Sequence, residues 1–284
     1  MDEKLTITHF TDPKCFWCYA MEPEMRKIRV LLDDQLDYRI VMGVLSSDVR
    51  EFTGYDALAS ARFEQLRNDM AQRILASSKT IGMPVSVESL LTCTPEEFVS
   101  LPLSLAFCAM RLIDETTAEA YLRRMRECVY AEDRRLPDVD SLVELAGEFP
   151  IDTELFRRNL ESGAAIPVLQ KDLQECQAIN VFAFPTLLIE YNGHRVAMNG
   201  FYDFAALKQA IAQISGGDIS LTDAEYSLGA LVSFIDRFGK VAAREIQTMF
   251  SLDEVQLTNA LVDLFGTGRY RKVDCGTSFF VMPK

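Results

Sequence analysis

Histidine is scarce, with two in 284 residues, and tryptophan occurs once. Basic residues are also in deficit: 29 Lys and Arg stand against 42 Asp and Glu, a net charge of −13. That balance gives no global attraction to a phosphate backbone and argues against nucleic acid as a partner. No stretch of about eighteen apolar residues occurs, so a membrane helix is not expected. A basic stretch followed by an apolar run is missing at the start, where Met1-Asp2-Glu3-Lys4 is charged. The expectation is no secretory signal and a cytoplasmic location. Cysteine is present but not paired in a framework: of seven, only Cys15 and Cys18 lie close together. Internal repeats and low-complexity tracts are lacking too. Hydrophobic residues at 49% and charged residues at 25% are ordinary globular values.

Leu5 to Thr11 alternates apolar and polar side chains and predicts a strand. After Asp12-Pro13 come Cys15-Phe16-Trp17-Cys18, and then Tyr19, Met21, Met25, Ile28 and Leu31 at helical spacing, so the cysteines open a helix. Leu36 to Leu45 predicts a second strand. Residues 55–176 carry helical periodicity broken near Gly82 to Pro84, Pro95, Pro137 and Pro150, and are read as a helical insertion. Thr186 to Tyr191 and Arg195 to Met198 flank Asn192-Gly193, a hairpin turn, and Asp203 to Ile214 predicts a closing helix. Ser215-Gly216-Gly217-Asp218 is the expected linker, dividing a domain over 1–217 from a smaller one over 218–284. In the latter, three helical stretches (226–238, 241–250 and 252–265) and a terminal β-hairpin predict a winged-helix-like shape. Its would-be recognition helix, 252–265, has no Lys or Arg, so this module is expected to contact protein.

A thiol at a helix start faces unpaired N–H groups and the positive helix end, which favour the thiolate. Cys15 is therefore the expected nucleophile, with a lowered pKa, and Cys18 the resolving thiol. Half of a zinc site is the other reading, but Cys93, Cys108, Cys128, Cys176 and Cys275 are scattered and supply no second pair, so no metal is expected. Pro185, between Phe184 and an apolar strand, stands where thiol oxidoreductases place a cis proline, with Phe184 offering backbone groups to an extended peptide. Phe16, Trp17 and Phe184 would form an apolar substrate rim. His9 is expected to be structural, Asp12 to serve the turn ahead of the helix, and Cys108 and Cys128 to pack as small hydrophobes.

Order and spacing resemble the thioredoxin fold with a helical insertion, as in the DsbA family and more narrowly its cytoplasmic FrnE-like dithiol-disulfide isomerases. The matching stretches are Thr11-Asp12-Pro13-Lys14-Cys15-Phe16-Trp17-Cys18-Tyr19, Val41-Met42-Gly43-Val44-Leu45, Val129-Tyr130-Ala131-Glu132-Asp133 and Phe182-Ala183-Phe184-Pro185-Thr186, with Asn199-Gly200-Phe201. The resemblance spans roughly residues 4–214. It implies an α/β thioredoxin-like core and thiol-disulfide exchange at Cys15 and Cys18 with protein or peptide thiols, with Pro185 as the cis proline. Phe16-Trp17 departs from the Pro-His of the periplasmic oxidants, and only the Trp17 indole N–H could donate to the thiolate. A couple more reducing than those oxidants is expected. The C-terminal segment resembles that of two-domain DsbA-like adaptor proteins that deliver a transcription factor to a protease. Two rival readings follow: an adaptor whose surface matters more than its cysteines, and glutathione-dependent chemistry of the kappa-class relatives, with glutathione beside Pro185. A homodimer is compatible with either. The segment from Ser220 to Lys284 is expected over or beside the Trp17 and Phe184 rim, and a cut after Gly217 is expected to leave the redox core folded.

Overall fold

The computed structural model describes residues 4–284. Strand β1 (Leu5–Thr11) runs into helices α1 (Phe16–Ala20) and α2 (Glu22–Leu32), followed by β2 (Leu36–Met42). A helical layer follows: α3 (Arg50–Thr53), α4 (Ala59–Ile81), α5 (Glu88–Thr92), α6 (Pro95–Phe98), α7 (Leu101–Arg111), α8 (Glu115–Tyr130), α9 (Val139–Ala146), α10 (Thr153–Glu161) and α11 (Ala165–Ala178). The chain then returns through β3 (Thr186–Tyr191), β4 (His194–Asn199) and α12 (Phe204–Ile214). Last come α13 (Leu228–Phe238), β5 (Val241–Ala242), α14 (Ala243–Phe250), α15 (Glu254–Gly266), β6 (Tyr270–Cys275) and β7 (Ser278–Pro283).

Among the described residues the strands form two sheets, ordered β2-β1-β3-β4 and β5-β7-β6. In the first, β1 pairs parallel with β2 and antiparallel with β3, Ile7 lying between Tyr38 and Ile189. Central β1 is covered on both faces. Leu5 and Ile7 pack with Met21, Met25 and Ile28 of the α1–α2 region and with α12, while Phe10 packs with Val41, Cys176 and Val181. The β3–β4 hairpin closes through Asn192 and Gly193, both at positive φ (48° and 76°), as its mirror-image turn demands. Helix starts follow local chemistry. Asp114, Asp138, Asp152, Ser227 and Asp253 each accept a backbone N–H from the first turn of the helix they precede.

Helical structure runs from Arg50 to Ala178, slightly beyond the expected 55–176. The strand expected to reach Leu45 ends at Met42, because Leu45 N–H donates to Asp12 Oδ2 instead of to a neighbouring strand. The linker expected at residues 215–218 is a tight turn: Gly217 N–H donates to Ala212 O, and Ser215 Oγ accepts from Ile219 N–H. Beyond it, Ile219 and Leu221 are buried in the cluster that holds Leu5 and Ile7. The C-terminal helices and small sheet are compatible with a winged-helix outline. Two-residue β5 has no sequence signal, being defined only by its pairing with Phe280 and Val281.

The C-terminal segment, expected over or beside the rim, packs behind the dithiol helix. Val30 and Leu31 of α2 sit against Leu231, Ile246 and Phe250, while Ala242 and Phe280 share a cluster with Tyr19, Ala20, Met83 and Val85. The tip of the β6–β7 hairpin meets the 83–86 loop, where Thr277 N–H donates to Val85 O at 2.9 Å and Val85 N–H to Thr277 Oγ1 at 3.2 Å. Trp17 stays 44% exposed with this segment in place.

Candidate active site

Cys15 caps the N-terminus of α1. Its Sγ accepts the Cys18 N–H at 3.1 Å and lies 3.2 Å from Phe184 O, to which its S–H donates. The Phe184–Pro185 peptide is cis. Cys15 retains 4% exposure and Cys18 none, so a substrate sulfur can reach only the former. The expected site residues are thus together: Cys15, Cys18, Phe184 and Pro185 around the sulfurs, with Phe16 and Trp17 on α1.

The aromatic rim differs from expectation. The Phe184 ring turns inward over Gly43, where a Cβ would lie 2.0 Å from its Cζ, so this residue offers its carbonyl and not its ring. Phe16 packs edge-on against Tyr130, with ring centroids 5.5 Å apart. The exposed apolar surface is formed instead by Trp17 with Phe201, 6.0 Å between centroids, and by Phe182 on the approach to Pro185, 77% exposed. Phe201 follows the Asn199-Gly200 end of β4 and was readable as part of a motif, but not as a partner of Trp17.

Charge reaches the sulfurs from outside the motif. His9 of β1 bonds Tyr38 Oη through Nδ1 at 2.8 Å, which leaves its Nε2 buried with no conventional partner. Arg126 of α8 donates through Nη2 to Thr11 Oγ1 and, at 3.4 Å, to Asp12 O, at the end of the strand that feeds the dithiol. Its Nη1 pairs with Glu22 at 2.5 Å. Burial pushes the Cys15 thiol well above its ordinary pKa, and its hydrogen bond to Cys18 adds to this. Burial also opposes the Cys18 thiolate, but the neighbouring Cys15 and His9 side chains and the Arg126 guanidinium outweigh it and hold Cys18 well below its ordinary value. The lowered pKa expected for Cys15 thus runs against its burial, and the surroundings favour the thiolate at Cys18. Helix α1 has only five residues and few aligned dipoles to offset that burial, whereas the Arg126 guanidinium supports the Cys18 thiolate.

Asp12 does serve the turn, accepting Lys14 N–H at 2.6 Å and Leu45 N–H at 2.8 Å. Burial raises its pKa to about 6. Lys14 is half-buried, and its desolvation lowers its pKa; Tyr130 Oη donates to Lys14 O at 2.5 Å. Behind this loop an apolar cavity of about 330 Å³ is lined by Lys14, Phe52, Met70, Cys93 and Tyr130, among others, and by neither redox cysteine. Cys108 and Cys128 are buried in the helical core. Among the described residues, no group of three or more His, Cys, Asp or Glu is placed to hold a metal. No helix among them is long and apolar enough to cross a membrane.

A β-strand that ends at a helix-capping Cys-x-x-Cys, opposite a cis proline and under a helical insertion, defines a DsbA-like protein of thioredoxin fold. The family described as Thioredoxin matches residues 9–209, and the chain belongs to it. It is similar to the ClpXP adapter protein SpxH of Bacillus subtilis, 24% identical over 281 residues that cover 97% of this chain and 88% of that protein. SpxH of Shouchella clausii is 22% identical, covering 92% and 82%. Among solved structures, a candidate protein disulfide isomerase from Nitrosomonas europaea superposes with a TM-score of 0.61 at 19% identity, covering 74% of this chain and 97% of that one. The cytosolic disulfide reductase DsbM from Pseudomonas aeruginosa gives 0.54 at 22%, covering 68% and 89%. These share the fold.

Proposed function

We propose that this protein is a thiol-disulfide oxidoreductase acting on extended segments of partner proteins in a reducing cytoplasm. The observation that carries the reading is the Cys15 sulfur, at the surface end of the dithiol and 3.2 Å from the Phe184 carbonyl beside Pro185, with Cys18 one turn behind. A peptide laid along Phe184 would present its disulfide to Cys15 and rest apolar side chains on Trp17, Phe182 and Phe201. As Cys15 attacks, its proton passes to the Cys18 thiolate. A bond forms between Cys15 and one substrate sulfur, and the other substrate sulfur leaves as a thiolate. Cys18 then yields its proton to that thiolate and attacks Cys15, freeing the second substrate thiol and closing the Cys15–Cys18 disulfide. A small thiol of the glutathione class would reopen that disulfide by the reverse exchange; the Pseudomonas relative has been solved with GSH.

The wild type should reduce a disulfide-linked peptide with multiple turnovers, Cys15→Ser should not, and Cys18→Ser should accumulate the mixed disulfide. Equal turnover by Cys15→Ser would overturn the assignment.

A second reading has its own support. The likeness to adapter proteins runs through the C-terminal segment and covers 97% of the chain. In that reading the surface binds a client and presents it to a ClpXP-type protease, with the cysteines as a modulator. A Cys15→Ser, Cys18→Ser double variant that still supports client degradation at the wild-type rate would favour it over the redox reading.

A further inference from the structure

Arg126 does not stand alone beside the dithiol. Its partner Glu22 also faces Arg123 at 3.7 Å, and Arg123 Nη1 binds Glu245 Oε1 at 2.9 Å. Glu245 belongs to α14 of the C-terminal segment, and its other oxygen accepts from Arg26 at 3.0 Å and from Ala242 N–H at 2.6 Å. Arg123, Arg126, Arg26 and Glu245 are all buried. An alternating file of charges, Glu245, Arg123, Glu22, Arg126, therefore runs through low dielectric from the C-terminal segment to the end of β1. There Arg126 holds Thr11 and the Asp12 carbonyl, at the turn that leads into Cys15, with its Nε unpaired. The other titratable groups facing the dithiol are His9 and Asp12 from β1 and its turn and Tyr130 from α8.

We propose that Arg126 is a positioning residue for the Cys15–Cys18 couple, and that docking of the C-terminal segment through Glu245 and Glu22 sets how much of its charge the sulfurs feel. The redox state of the dithiol and the placement of that segment are then one linked equilibrium: what shifts the segment shifts the potential, and oxidation, which removes the thiolate, weakens the pull on Arg126 and feeds back along the file. A client bound at the C-terminal segment would thereby be sensed at the cysteines without touching them. The inference rests on the redox reading above.

The sign of each link follows from its charge. Removing the cation with Arg126→Gln takes support from the thiolate, so the first thiol pKa rises and the couple becomes more reducing. Glu22→Gln frees Arg126 from its counter-ion, so the pKa falls and the couple becomes more oxidising. Glu245→Gln acts in the same direction as Glu22→Gln but less, being farther along the file. The test is thiolate absorbance against pH and a glutathione redox titration of the full chain and these three variants, with circular dichroism to verify folding. Arg126→Gln and Glu22→Gln should move the exchange constant with glutathione in opposite directions, each by about tenfold, or about 30 mV for a two-electron couple. Arg126→Lys, which keeps the charge, should recover most of the wild-type value. Loss of packing alone would shift the variants the same way. That outcome, or no shift beyond twofold in Arg126→Gln and Glu22→Gln, overturns the inference. A wild-type chain that forms no disulfide with oxidised glutathione defeats the redox reading itself. For a Glu245→Gln protein that fails to fold, the Arg126 and Glu22 pair still decides.

Discussion

At the scale of single residues, Asp12 is an acid whose environment works against its charge. Its folded pKa, raised by burial to about 6 from 3.8, means that the native state holds a proton there which the unfolded chain has released. The folded state binds more protons between about pH 4 and 6, so stability falls as pH rises through that window and is lowest above it. Two units correspond to roughly 3 kcal/mol. Asp12→Asn keeps the shape but only one accepting oxygen, for either the Lys14 or the Leu45 N–H. Urea unfolding midpoints measured from pH 4 to 7 should fall more steeply for the wild type than for the variant, in which Glu24, raised by burial to about 7, still titrates. Parallel curves would mean that Asp12 is ionised in the fold without penalty. The motif made Cys15, Cys18 and Pro185 legible, because they are adjacent in sequence or bounded by turn residues. Arg126 was not legible, since it lies more than a hundred positions away on an ordinary amphipathic helix and nothing local marks which arginine will turn inward. The expectation of a reducing couple rests on the lack of a cation in Phe16-Trp17 and takes no account of Arg126, which α8 brings to the end of β1.

At the scale of elements, the strand, the Cys-x-x-Cys helix and the Asn192-Gly193 hairpin could be read because periodicity and turn chemistry are local properties. The end of β2 could not, because a side chain thirty-three positions away ends it: Asp12 takes the N–H of Leu45. That same junction seats the Phe184 ring over Gly43. Gly43 does not have positive φ, so adding a methyl group there causes no backbone strain, and its whole effect is the clash at 2.0 to 2.6 Å with the ring edge. Gly43→Ala should therefore destabilise by about 1–3 kcal/mol, typical of overpacking, and should slow alkylation-independent disulfide exchange by moving the Phe184 carbonyl off Cys15. Phe184→Leu should relieve the clash. A double-mutant cycle by chemical denaturation should give a coupling of at least about 1 kcal/mol; additive losses would show that ring and glycine do not meet.

At the scale of the whole molecule, the glycine-rich turn at residues 215–218 suggested an independent C-terminal unit, and composition alone could not reveal how firmly that unit is seated. Ile219 and Leu221 plug the core of the first sheet, Lys27 pairs with Asp223, and Val30 and Leu31 lie under α13 and α14. A cut after Gly217, which the sequence suggests is harmless, removes all of these. It exposes apolar surface on α2 and strips Arg26 and Arg123 of Glu245, and loss of one partner of a buried pair costs on the order of 3–5 kcal/mol. A cut after Thr222 keeps Ile219 and Leu221, each worth about 1.5–3 kcal/mol when buried. Thermal midpoints should therefore fall in the order full chain, cut after Thr222, cut after Gly217, with the shortest form prone to aggregate. Replacing Val30 by glutamine in the Thr222 form should improve its solubility, since that side chain no longer has the cover of the C-terminal cluster. Identical midpoints for all three chains would show that the C-terminal segment contributes no stability to the redox core, and the charge file through Glu245 would then have no docked partner to report on.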